Sequence, residues 1–211
     1  MKYVPSSGST TTTAKENIIN KAENKSTGDK ATTTAYLESK ATSGRTTTTI
    51  SAETGQKIVE KAVANKSAEV VIEVESAKTA KTAEVVIPEL AIKEIAEKTD
   101  AELVIKTGDA EISLDKAGIE ELVAKAGTTE AIKIEVSTIE SKEDICRVNV
   151  RFVTSSGKEV KFKKGETSVT VTPDKKLFKK KLVCVYIDDN GIYHKVKGWK
   201  NADGTYTFMA S

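Results

Sequence analysis

Residues 83–136 read AEVVIPELAIKEIAEKTDAELVIKTGDAEISLDKAGIEELVAKAGTTEAIKIEV, and this stretch decides the fold because it states one pattern twice. In each copy a short run that alternates apolar with polar residues leads into a segment with apolar side chains at helical spacing, and a second alternating run follows. Pro88 suits the first turn of a helix over 88–98, whose buried side is supplied by Leu90, Ile95 and the alanines. In the second copy Asp115 is the expected N-cap. Ile119, Leu122, Val123 and Ala126 recur at i, i+3, i+4 and i+7, and Gly127 ends the helix. Between the copies, Gly108-Asp109 joins AELVIKT to AEISL as a tight hairpin turn.

Working outward toward the N-terminus, Ser51 caps a helix whose stripe is Ile58, Val59, Ala62 and Val63, and which Asn65 stops. AEVVIEVE at 68–75 alternates as a strand, and small residues over 76–82 form a loop. The expected order is helix, strand, strand, helix, strand, strand, helix, strand: an α+β repeat domain over 50–143, with five strands and the helices on one face. Residues 1–49 read instead as a largely disordered linker. Thr10–Thr13, Thr32–Thr34 and Thr46–Thr49 are threonine runs among Ser, Gly and Lys, with few large apolar side chains to offset the entropy of ordering the backbone. Within that linker only AKENIINKAEN, residues 14–24, has helical spacing.

Downstream of about residue 144 the period changes to two. Cys146, Val148, Val150 and Phe152 alternate with Arg147, Asn149 and Arg151, and Asp189-Asn190-Gly191 and Asp203-Gly204 are hairpin turns. Residues 144–211 are therefore expected to form an all-β domain resembling a small sandwich. Charge divides the chain in the same places: residues 1–50 sum to +3, 51–144 to −9 and 145–211 to +8, within a net +2. Aromatic residues make up only 5% of the chain, which favours aliphatic cores. Cys146 and Cys184 lack the close spacing of a zinc or redox pair, so buried thiols are expected, with a disulfide only if their strands are neighbours. No stretch has the length of a membrane-spanning helix, and Met1-Lys2-Tyr3-Val4-Pro5 lacks the apolar core of a signal peptide.

No residue pattern calls for a cofactor, a metal or a catalytic role. His194 is the only histidine and has no Ser, Cys or Asp partner in a recognisable spacing; Asp188-Asp189-Asn190-Gly191 lacks the alternating oxygen ligands of a calcium loop. Glu94, Glu97, Glu120 and Glu121 fall on the outer sides of helices, as solvated charges do. What remains is a basic cluster. Lys163, Lys164, Lys175, Lys176, Lys179, Lys180 and Lys181 lie in loops or strand ends, and Lys195, Lys197 and Lys200 surround Trp199, with Tyr193 nearby. Gathered on one face, these residues suit an anionic or glycan polymer, with Tyr193 and Trp199 as the stacking surface. Lysine outnumbers arginine there, which argues against specific nucleic-acid recognition.

Two segments carry a resemblance. AEVVIPELAIKEIAEKTDAELVIKTGDAEISLDKAGIEELVAKAG and LVCVYIDDNGIYHKVKGWKNADGTYTF are together similar to a tandem module of secreted Firmicutes surface proteins, especially those carrying S-layer homology domains. The matching positions of the second segment are Val185 to Gly191, Val196 to Gly198 and Asp203 to Phe208, and the resemblance covers about 51–211. It implies a non-catalytic structural, adhesion or spacer module at the cell surface, outside the cell and not inserted in a membrane. Its expected partners are a cell-wall polymer or neighbouring surface-protein domains. The S-layer homology repeats are not among the matching residues, so direct wall anchoring is not implied. Relatives of this kind continue beyond the last strand with a His-Phe-Ser-like ending, whereas this chain stops at Met209-Ala210-Ser211, which implies a truncated last domain.

Overall fold

The structure is a computed structural model that describes residues 16–42, 44–75, 81–108, 110–127, 130–141, 146–161, 167–173, 183–187 and 190–209. Its strands are β1 (Glu16–Lys21), β2 (Thr32–Leu37), β3 (Lys40–Thr42), β4 (Arg45–Thr49), β5 (Glu69–Val74), β6 (Thr82–Pro88), β7 (Glu102–Thr107), β8 (Ala110–Leu114), β9 (Ala131–Ser141), β10 (Cys146–Thr154), β11 (Thr167–Val171), β12 (Val185–Ile187), β13 (Tyr193–Lys195), β14 (Gly198–Lys200) and β15 (Tyr206–Met209). The helices are α1 (Ala52–Asn65), α2 (Glu89–Lys98) and α3 (Lys116–Ala126).

Local chemistry places the helix ends where the sequence put them. The Ser51 hydroxyl accepts from the Thr54 amide at 3.0 Å, and the Asp115 carboxylate accepts from the Gly118 amide at 2.8 Å, so each satisfies an amide that the first turn leaves open. Gly127 follows α3 at a φ of 68°, where a side chain is disfavoured. Pro88 stands one residue earlier than expected, as the last residue of β6 and the N-cap of α2. The Gly108-Asp109 hairpin joins β7 to β8, with Thr107 opposite Ala110; Asp109 itself lies outside the described residues.

The sheets are where expectation and structure part. An eight-stranded mixed sheet runs β1-β2-β5-β7-β8-β11-β15-β14, a five-stranded one runs β10-β9-β6-β4-β3, and β12 and β13 form a separate ribbon. The five strands foreseen for 50–143 do not share one sheet: β5, β7 and β8 enter the larger sheet, β6 and β9 the smaller. The expected boundary at 143/144 is crossed by hydrogen-bonded pairing, since β11 pairs with β8 and β10 with β9. Among the described residues, β10, β11, β14 and β15 accordingly extend sheets begun upstream, and β12 and β13 pair apart from them. Both sheets instead turn one face to a single core. The inward row of the larger sheet is Ile18, Ala35, Ile72, Ile105, Ile112, Val169 and Phe208, and the smaller sheet contributes Val85, Ile134 and Phe152. α1 packs on β1 and β2, α2 on β6 and β9, and α3 on β7 and β8, with the three helices side by side. Gly55 lets α1 and α2 meet closely, because a Cβ there would lie 2.9 Å from the Cβ of Ala91.

The linker reading of 1–49 fails over its described part. Thr32–Thr34 belong to β2, parallel to β5, and Thr46–Thr49 belong to β4, parallel to β6. Threonine is β-branched and suits a pleated strand, and the Val/Ile strands alongside supply the apolar surface that the threonine strands lack. Residues 16–21, expected to be helical, form β1, held by side chains of α1. The Asn65 amide donates to the carbonyls of Thr32 at 3.0 Å and Lys21 at 3.2 Å and to the Ser67 hydroxyl at 2.9 Å, while the Lys61 ammonium donates to the Ile18 carbonyl at 2.6 Å. Residues 1–15, including Thr10–Thr13, lie outside the described residues.

Candidate functional site

Alternation along a strand decides which of the candidate residues meet. On β14, Trp199 stands opposite Thr207 of β15 and Lys200 opposite Tyr206. Successive side chains leave opposite faces, so Trp199 points away from the core and Lys200 toward its margin. The Lys200 ammonium lies 6.0 Å from the centre of the buried Tyr206 ring, and Lys197 lies 6.0 Å from the centre of the Trp199 ring on the outward side. Both distances are within reach of a cation–π attraction. Trp199 remains 44% exposed. On the ribbon, Tyr193 and Lys195 share a face from which His194 is excluded, and Tyr193 is 64% exposed. The sequence cluster is thus divided: Lys197 and Trp199 come together, Tyr193 and Lys195 form a second pair, and Lys200 is turned the other way. Lys163, Lys164, Lys175, Lys176, Lys179, Lys180 and Lys181 lie outside the described residues, as do Asp188 and Asp189 of the turn before Asn190 and Gly191.

The platform under Trp199 is held by close packing and short polar contacts. A Cβ on Gly198 would lie 2.6 Å from the Cys184 sulfur and 3.0 Å from the Thr207 carbonyl, so only glycine fits between the ribbon's end and β15. Burial pushes the Cys184 thiol above its ordinary pKa. Cys146 and Cys184 are both thiols, each partly buried. In the β14–β15 turn, the Asp203 carboxylate accepts from the Thr205 hydroxyl at 2.7 Å and amide at 2.9 Å, which holds it below the usual carboxylate range. Asn201 donates to the hydroxyls of Thr205 at 2.8 Å and Thr207 at 2.9 Å, and the Thr207 and Thr170 hydroxyls are 2.8 Å apart.

Strand register carries this surface further than the sequence suggested. Trp199, Thr207, Thr170, Glu111, Lys106, Glu73 and Tyr36 form one cross-strand row on the outward face of the large sheet. Two ion pairs lie on this face: Lys106 with Glu111 at 3.0 Å, and Lys30 with Glu69 at 2.9 Å. The Glu69 partner raises the Lys30 pKa. Alternation within each strand was visible in sequence, but which strands were neighbours was not, so Tyr36, Lys106, Glu111 and Thr170 were missed.

Two other surfaces have defined geometry. The outward face of the smaller sheet holds an ion network in which Arg45 reaches Glu84 at 2.5 Å and Glu135 at 3.7 Å, with Lys133 and Arg151 on the same carboxylates. A groove of about 770 Å³ runs between α1 and α2, with Val59 and Ala91 among its lining and Leu90 and Val63 exposed beside them. Among the described residues, no three His, Cys, Asp or Glu side chains are grouped to hold a metal ion, and no helix is long and apolar enough to cross a membrane. No family model matches the chain, and neither a curated protein nor a solved structure is significantly similar to it.

Proposed function

We propose that this chain is a non-catalytic structural and adhesion module of a bacterial cell-surface protein of the S-layer-associated kind, working outside the cell as part of a longer protein. The observation that carries the reading is Trp199: a large ring left exposed on the edge strand β14, with the Lys197 ammonium 6.0 Å from its centre. An exposed Trp beside a cation offers an apolar plane for a sugar ring and a positive charge for an anionic substituent, the two features of a wall polymer. Tyr193 and Lys195, exposed on one face of the ribbon, add a second aromatic ring and a second charge. The β6–α2–β7 and β8–α3–β9 stretches are, on the same reading, two copies of one ancestral unit, as their sequences suggest.

The test is co-sedimentation of the full chain with isolated Gram-positive cell walls at low and high salt. Salt-resistant binding that Trp199→Ala reduces about tenfold or more is the expected result. A second reading, polyanion capture by lysine, is favoured by the exposed Lys195 and Lys197 side chains. It expects equal retention on walls and on a polyphosphate matrix, lost together as salt rises.

A further inference from the structure

We infer that the outward face of the eight-stranded sheet is a binding surface for an uncharged linear glycan, laid across the strands from Trp199 toward Tyr36. This deepens the adhesion reading above and rests on it. Trp199 on β14 and Tyr36 on β2 lie on the same face and in the same cross-strand row, six strand spacings apart, or roughly 29 Å at about 4.8 Å per strand. Both rings are open to solvent, at 44% and 41%. Between them the row offers the part-buried Thr170 hydroxyl, bonded to that of the buried Thr207, then the Glu111–Lys106 pair, whose side chains are 38% and 43% exposed, and then Glu73. Such a row is long and lies across a sheet face, so it suits a polymer rather than a compact ligand, which takes a concave site. Ring faces stack on the aromatic ends, and sugar hydroxyls exchange hydrogen bonds with the hydroxyl, carboxylate and ammonium groups between. Charge selects the uncharged class. Lys106 is matched by Glu111, Lys30 by Glu69 and Glu102, and Glu73 adds a carboxylate within the row, so apart from Lys197 at the Trp199 end the face presents no positive field to draw a polyanion along it.

The experiment compares retention of the full chain on intact wall sacculi and on sacculi stripped of their anionic polymers, both at high salt. Stripped sacculi are expected to retain the protein. Trp199→Ala should weaken that retention about tenfold or more. The double variant Thr170→Val, Glu111→Ala should weaken it several-fold, and Lys93→Ala, on α2, should leave it unchanged. Tyr36→Ala, at an exposed position on the far strand, gives an independent reading if either of the first two variants melts lower than the parent. Retention on intact but not on stripped sacculi overturns the glycan row while leaving the adhesion reading in place. Equal retention of the parent and of the Trp199 and Tyr36 variants on stripped sacculi overturns it as well. Retention on neither matrix overturns both.

Discussion

Gly198 shows how a single missing side chain positions the aromatic surface. Because the Cys184 sulfur and the Thr207 carbonyl occupy the space a Cβ would need, Gly198→Ala must displace the Cys184 side chain, the ribbon or β15. Overpacking of this kind is expected to cost about 1–3 kcal/mol in urea unfolding. Adding Cys184→Ala should restore part of the loss, because it removes one of the two clashing groups. Asp203 is the corresponding residue for pH. Its carboxylate is held below the ordinary value by the Thr205 hydroxyl and amide, so the charged form is favoured in the folded state. The resulting stabilisation is present above the ordinary carboxylate range, near pH 4, and is lost as pH falls through the lower folded value. NMR of the Thr205 amide should follow that titration, and Asp203→Asn should abolish it.

Among the elements, the helices were legible and the sheets were not. Ser51, Asp115 and Gly127 act within one turn of themselves, so their sequence context is their structural context. The same holds for the Gly108 hairpin, whose strands are adjacent in the chain. β2 and β4 fail that condition. Thr33, Thr46 and Thr48 are buried because β5 and β6, contributed from beyond them, lie alongside; composition alone reads such threonines as solvated. The Trp199 platform was half legible for the same reason, since Trp199 and Lys197 are two residues apart while Thr170 and Glu111 reach the row only through pairing. Asn65 is the testable hinge of this argument. Asn65→Leu removes its hydrogen bonds to Lys21, Thr32 and Ser67, and is expected to destabilise the chain by about 1–3 kcal/mol. Hydrogen exchange should quicken first in β1.

At the scale of the whole molecule, no cut at 49/50 or 143/144 separates finished sheets. A fragment over 51–211 lacks β1 to β4 and leaves the Val/Ile edges of β5 and β6 open, so it is expected to aggregate or lose a cooperative thermal transition. A fragment over 144–211 removes β8 and β9 from β11 and β10, and circular dichroism should find it unfolded, whereas the full chain is expected to melt in one step. The two edges of the large sheet are β1, near one end of the chain, and β14, near the other, about seven strand spacings or roughly 34 Å away. A module that transmits load between neighbours is therefore pulled across its strands. Tension applied at residue 16 opens the β1–β2 ladder one hydrogen bond at a time, as a zipper opens, instead of shearing the whole ladder at once. In an optical trap such a sheet yields at low force from its rim inward, giving extensible slack while the central strands keep their pairing.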